Sequence, residues 1–473
     1  MFGKPAPALH PSLDWLNADP QTIANQRGRV LALLFWNASS IYSQNLIGEL
    51  VRLRARHPLA LSVIGIHLPK FDAEIDPRTV SRAINQLDID FPVANDRGWA
   101  VWQQYGITGW PSVALIDPLG RLREIYTGDD QADAIDGAIS TLVEESGGST
   151  TFPEPGARST IGRDRATLAF PSGLAVSDSH LYIADTGHHR ILECTHEGRV
   201  LRAFGTGHPD LVDGPPGEAA FRSPRGLCIV RGSLYVADTG NHALRRIELS
   251  DGHVETLLGN ARPGQPIEGS FSVPTDCPLN LPWAVAGAFD RLFIAVTGCN
   301  QIWEYELGYS RLRFVAGTGE LGIADGPGRN ALFAQPSGLA LVQQTLYVAD
   351  AAGSAIRVIQ LQQDNVQTLV GQGLYEFGDH DGGRREARLQ YPQAIALDAN
   401  APVLWIADTY NGSLRKLRLG GGDVTTQDLP QPLYQPAALA SSADALWIAD
   451  GVNHEILRYD LESGLLARVQ IAE

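Results

Sequence analysis

Cysteine is scarce in this chain: there are four in 473 residues, and none in residues 1–193. The four are Cys194, Cys228, Cys277 and Cys299, and no two stand in a C-x-x-C or zinc-type spacing. In a reducing compartment such residues read as small buried apolar groups; a Cys277–Cys299 bridge stays open at this stage. Lysine is scarcer still, with only Lys4, Lys70 and Lys416, so arginine carries the positive charge. Residues 1–150 hold 12 Lys and Arg against 17 Asp and Glu, the remainder 25 against 36, and the formal net charge is −16. Neither part has the basic footprint that a phosphate backbone demands, so nucleic acid is not an expected partner. No apolar run approaches the roughly 20 residues that span a bilayer. The opening MFGKPAPALHPSLDWLNADP lacks the apolar core of a secretion signal. A cytoplasmic location without membrane contact is therefore expected.

The length exceeds what one hydrophobic core holds, about 250–300 residues, so at least two domains are expected. The apolar runs VLALLFW (30–36) and ALSVIGI (60–66) read as strands buried on both faces. Helical spacing marks 43–56, 77–87, 97–105 and 130–145, and residues 112–126 read as a hairpin around Pro118-Leu119-Gly120. Alternating strands and helices predict an α/β domain over 1–147. Ser, Gly, Thr and Pro crowd the segment 145–160, which predicts a connector at 148–166.

The order of these elements, with Pro111 before the hairpin in YGITGWPSVALID (105–117), resembles the thioredoxin fold. The resemblance implies a cis peptide bond before Pro111, facing a redox site at the start of the first long helix. The slot for a C-x-x-C motif falls on Ser40-Ile41-Tyr42-Ser43. Disulfide exchange needs a thiolate, and a serine hydroxyl cannot cycle through that bond. Ser40, Ser43 and Pro111 thus mark a degenerate redox site with no catalytic residue. Trp36, Tyr42 and Trp110 are expected near the groove beside Pro111, where aromatics either anchor a peptide or pack a vacated site.

Residues 167–473 repeat themselves six times. A Pro-x-[Gly/Ala] segment and a Leu-aromatic-apolar-Ala-Asp strand recur as FPSGLAV…LYIADTGHHRI (170–191), SPRGLCI…LYVADTGNHALR (223–245), LPWAVAG…LFIAVTGCNQIW (281–303), QPSGLAL…LYVADAAGSAIR (335–357), YPQAIAL…LWIADTYNGSLR (391–415) and QPAALAS…LWIADGVNHEILR (435–458). Short strands in repeats of this length predict an all-β six-bladed propeller, four strands to a blade. The Asp column holds Asp185, Asp238, Asp350, Asp408 and Asp450, with Val296 in the third copy. Their expected role is structural, as hydrogen-bond acceptors in the turn after strand two. His188, His189, His242 and His454 follow in the same turns, but other copies carry Cys299-Asn300, Gly353-Ser354 or Gly412-Ser413 there, which speaks against a metal ring. The Gly-rich stretches 205–214, 317–326 and 371–382 lack the GxxxxGK[ST] pattern and read as connecting loops. No metal or other cofactor is expected.

These copies resemble the NHL repeat, most specifically at LYVADTGNHALR (234–245). The two parts in this order resemble the NHL-repeat-containing protein 2 family and its bacterial relatives, from about residue 10 to the end. PVANDRGWAVWQQYGITGWPSVALIDPLG (92–120) is the most specific stretch outside the repeats. In the vertebrate member of that family the thioredoxin-like site carries a cysteine-bearing motif; here Ser39, Ser40 and Ser43 stand in its place. The expectation is a non-catalytic scaffold that binds a protein or peptide through the propeller rim or channel and the thioredoxin-like groove. Two alternatives stay open: a thiol-disulfide or peroxide-related oxidoreductase, and a metal-dependent propeller hydrolase or lyase.

Overall fold

A strand that is apolar on both faces must be covered on both, and Val30–Trp36 (β2) sits at the centre of its sheet for that reason. The computed structural model describes residues 3–146 and 167–472. The connector expected at 148–166 lies outside the described residues. The chain divides into two compact units, Met1–Asp164 and Arg165–Glu473.

In the first unit, β1 (Asp14–Trp15), β2, α1 (Ile41–Arg56), β3 (Leu61–His67), α2 (Pro77–Gln86), β4 (Val93–Asn95), α3 (Ala100–Tyr105), β5 (Ser112–Ile116), β6 (Leu122–Thr127) and α4 (Ala132–Glu145) follow in order. The sheet order is β1-β4-β3-β2-β5-β6. β2 runs parallel to β3 and antiparallel to β5. The side chains of β2 alternate: Val30, Ala32, Leu34 and Trp36 pack with Leu46, Leu50, Ile135 and Ile139 of α1 and α4. Leu31, Leu33 and Phe35 pack with Val101 and Tyr105 of α3 on the opposite face. This is the thioredoxin-like α/β architecture. α3 begins three residues later than helical spacing suggests. The Asp96 carboxylate accepts the N–H groups of Ala100, Val101 and Trp102 at 2.9, 2.8 and 3.1 Å and fixes the helix start there.

The second unit is a six-bladed propeller of six antiparallel sheets; the third and fourth sheets each add a two-residue edge strand to the four expected. A lone blade has two apolar faces and cannot bury them. Each of six apolar clusters is accordingly shared by two successive blades, and the last joins Leu174, Leu181 and Leu192 of blade one to Ala438, Trp447 and Ile456 of blade six. The innermost strands crowd the axis. A Cβ on Gly173 would lie 1.8 Å from the Arg225 carbonyl oxygen of the next blade, so only glycine fits.

The Asp column works differently from the local turn capping expected. Asp185, Asp238, Asp350 and Asp408 accept backbone N–H groups of Ala169, Arg222, Ala334 and Gln390, in the loop before strand one, at 2.6–2.8 Å. Asp450 takes those of Tyr434 and Gln435. Within the turn itself the donors are side chains, such as Asn241 to Asp238 and Asn411 to Asp408. Three of these aspartates also meet a buried arginine of strand three: Arg245, Arg357 and Arg415. Each arginine reaches on to Asp213, Asp325 or Asp381 in the Gly-rich loops and pins them to the blade.

Candidate functional site

The register Phe35↔Ser112 sets Pro111 beside the C-terminal end of β2, where α1 begins. The Trp110–Pro111 peptide is cis. Ser40 is the N-cap of α1, and its Oγ accepts the Ser43 N–H at 3.3 Å. Ser43 Oγ in turn accepts the Asn37 N–H at 3.1 Å. Both hydroxyls are buried and hold the helix start in place. Asn45 on α1 donates to Asp129 at 2.8 Å, and the neighbouring Gly128 N–H donates to the Pro111 carbonyl at 2.9 Å, so the walls around Pro111 are tied together. Burial raises the Asp129 carboxyl above its ordinary value.

Of the three aromatics expected here, Tyr42 and Trp110 are half-buried, whereas Trp36 is fully buried. Trp36 occupies an even position of β2 and so faces the helices; its ring meets His67 edge-on at 5.0 Å. It is a core residue and offers no surface to a ligand. The aromatic partners of Trp110 are Trp99 and Trp102, with ring centroids 5.7 and 5.8 Å away and 5.3 Å from each other. Trp99 has φ 58°, a left-handed conformation unusual for a bulky residue. Such strain persists where surrounding packing holds it, and here two indoles do. The sequence did carry a signal for this cluster: three of nine tryptophans fall within residues 99–110.

A buried polar network behind the serines went unseen in the sequence. The Glu74 carboxylate, wholly buried, accepts Asn37 Nδ2 at 2.7 Å and the N–H groups of Ser39, Lys70 and Phe71 at 3.1, 2.7 and 3.1 Å. His67 Nδ1–H donates to Asn95 Oδ1 at 3.0 Å, while its Nε2 has no partner among the described residues. Burial pushes the His67 imidazole below its usual range, against the pull of Glu74 and the Asn95 bond.

All four cysteines are in the propeller, and none forms a disulfide. Burial pushes the Cys194 and Cys228 thiols up to about 12. The histidines serve the blades. Nδ1 of His189, His242 and His454 accepts the N–H of Ser223, Leu281 and Phe170, each in the following blade, at 3.1, 3.1 and 2.9 Å. Asn300 and Ser354 fill the same station toward Gln335 and Tyr391. Among the described residues no three His, Cys, Asp or Glu side chains group as a metal site, and no helix is long and apolar enough to cross a membrane.

A thioredoxin-like unit without a dithiol, followed by a six-bladed propeller of repeats, is the class that fold and site define. The NHL repeat family pattern matches residues 168–194 and 221–247. The chain is similar to NHL repeat-containing protein 2: it is 30% identical to the chicken protein over 447 residues, which is 86% of this chain and 61% of that one. It is 32% identical to SUPPRESSOR OF QUENCHING 1 of Arabidopsis thaliana over 435 residues, 87% of this chain and 41% of the plant protein. The chain therefore spans about two fifths to three fifths of the length of these relatives. The thioredoxin-like part also matches the thiol-disulfide oxidoreductase YkuV of Bacillus subtilis, 20% identical over 142 residues, 30% of this chain and 96% of YkuV.

Proposed function

We propose that this protein is a non-catalytic binding scaffold, whose thioredoxin-like groove and propeller rim or channel hold a protein or peptide partner. One observation carries the reading. The oxygens of Ser40 and Ser43 occupy the redox slot, and each is engaged in starting α1. The same end of the sheet keeps the Pro111 loop and a three-tryptophan cluster, which suits an extended apolar segment of a partner. The oxidoreductase alternative, suggested by the name of the Bacillus relative, lacks a thiol in this unit; a single-site exchange would need one.

The test pairs two assays on the full chain. Insulin reduction with dithiothreitol is expected at the no-protein background. Reduced, carboxymethylated α-lactalbumin, an unfolded chain with its thiols blocked, is expected to bind saturably. Trp110→Ala should weaken that binding about tenfold. Insulin turnover above background, or no saturable binding, overturns the proposal.

A further inference from the structure

A Pro-x step stands at or just before the start of each of the six innermost propeller strands, and x runs Ser172, Arg225, Trp283, Ser337, Gln393 and Ala437 around the ring. Arg225 is the one charged member. It is 7% exposed. Its Nη1 reaches Ser172 Oγ of blade one at a long 3.5 Å, and its guanidinium lies 3.8 Å from the centroid of the Trp283 ring of blade three. Its Nε has no partner, and no carboxylate meets it among the described residues. The contrast is internal to the fold. Arg245, Arg357 and Arg415 are as deeply buried, and each is gripped by at least two aspartates. Among the described residues, Tyr391 of blade five is the ionisable side chain placed to influence the charge of Arg225. Burial lowers its pKa to about 10, which leaves it cationic at neutral pH.

A buried cation without a counter-charge is an unfavourable arrangement unless something completes it. The Nε–Nη2 edge of a guanidinium is a flat two-donor fork that matches the two oxygens of a carboxylate. Trp283 already stacks on one face of the cation and so favours a flat group added at the edge. We propose that the Arg225 end of the propeller channel is a carboxylate-binding site, with the Arg225 guanidinium as its cation and Ser172 and Trp283 as its walls. A free organic acid and the carboxylate of a peptide present the same group to it. The inference refines the channel half of the scaffold reading, and it stands whether or not the thioredoxin-like groove binds anything.

The experiment titrates the full chain by calorimetry with sodium acetate, disodium succinate, and an acetylated trialanine with either a free or an amidated C-terminus, ionic strength being held constant with sodium chloride. Saturable carboxylate binding is expected, with a change in tryptophan fluorescence that is absent in Trp283→Phe. Arg225→Gln should cut affinity at least about tenfold, and Arg225→Lys, which keeps the charge and loses the fork, should lie between. Without ligand, Arg225→Gln should melt no lower than the wild type, since it removes an uncompensated buried charge. Tighter binding of succinate than of the free peptide assigns the site to a small acid; the reverse assigns it to a chain end. Heats matched by sodium chloride alone, or unchanged affinity in Arg225→Gln, overturn the proposal. The wild-type titration decides the matter even if a variant fails to fold.

Discussion

The imidazole of His454 accepts the backbone N–H of Phe170 at 2.9 Å across the seam where blade six meets blade one. The two rings also meet edge-on, 4.5 Å apart. This bond repeats a station used at four other seams, filled by His189, His242, Asn300 and Ser354. At the seam between blades five and six the station is Gly412, because a Cβ there would lie 2.6 Å from the Leu433 carbonyl. Asp450 holds that loop instead.

The ring-closing bond has a predicted cost. His454→Ala leaves the Phe170 N–H without its acceptor and should destabilise the propeller by about 1–3 kcal/mol. His454→Asn should restore most of that, because Asn300 performs the same task three seams away. Denaturant midpoints of the full chain measure both. An alanine variant as stable as the wild type would remove the latch from the account of closure.

Blade three suggests the second prediction. Where the other blades carry Asp it has Val296, and seven residues on, where blades two, four and five carry Arg245, Arg357 and Arg415, it has Trp303. An ion pair has been exchanged whole for an apolar pair, which is often neutral or better in a buried site. Asp238→Val alone takes one of its two carboxylates from the fully buried Arg245, leaving Asp213, and strips the Arg222 N–H and the Asn241 amide of an acceptor, and should cost about 1–3 kcal/mol. Adding Arg245→Trp should recover part of the loss, with a coupling energy of about 0.5–3 kcal/mol. A double variant no better than the sum of its parts sinks the idea.

Much of this fold is legible because the chain repeats itself or is uniformly apolar. Val30–Trp36 reads as a buried strand from composition alone, and the six repeated strands, five of them ending in Asp, align by eye. Trp36 was misplaced because a continuous apolar run hides which residue faces which side; the alternation is imposed by helices far along the chain. The bonds of Glu74 to Asn37 and Ser39 join residues 35–37 positions apart, and nothing local marks them. Arg225 is the one charge in its column, yet that no carboxylate among the described residues meets it is a property of the closed ring.

Glu74 gives the third prediction. Its replacement by alanine removes the acceptor shared by the Asn37 amide and the Ser39, Lys70 and Phe71 N–H groups, of which Ser39 keeps Asn37 Oδ1 at 3.1 Å, at about 1–3 kcal/mol for each buried donor left unmet and not fully additive. Hydrogen exchange should accelerate at the Ser39 and Phe71 amides before the β2 amides respond. Protection unchanged at Ser39 and Phe71 would mean that the network is incidental.

Acidity should loosen the first unit through His67. An unfolded histidine ionises near 6.5, and burial holds the folded imidazole below its ordinary value. As pH falls through the unfolded value, the unfolded chain takes up a proton that the folded chain refuses. The stabilising contribution is therefore complete above about 6.5 and is lost progressively below it. His67→Gln retains a donor for Asn95 and cannot titrate, so its melting temperature should fall less than that of the wild type between pH 7.5 and 5.5, as estimated from the histidine range. Parallel curves for the two proteins would assign the acid sensitivity elsewhere.

The sharpest test of the lost chemistry is to give it back. Ser40 caps α1 and Ser43 lies on its first turn, a helix N-terminus that lowers a thiol's pKa and favours the thiolate. The cis Trp110–Pro111 loop stands at the same end of the sheet. Ser40→Cys with Ser43→Cys should therefore form a reducible disulfide and show insulin reduction above the wild-type background. Either single variant should stay at that background, since one thiol cannot close the cycle. The exchange has a cost, because sulfur is a weak acceptor for the Asn37 and Ser43 N–H groups, and a modest fall in melting temperature should accompany the gain. If the double variant folds, titrates with two thiols more than the wild type and still reduces nothing, the unit has lost more than its sulfur, and the groove must be shaped for binding in ways that exclude exchange.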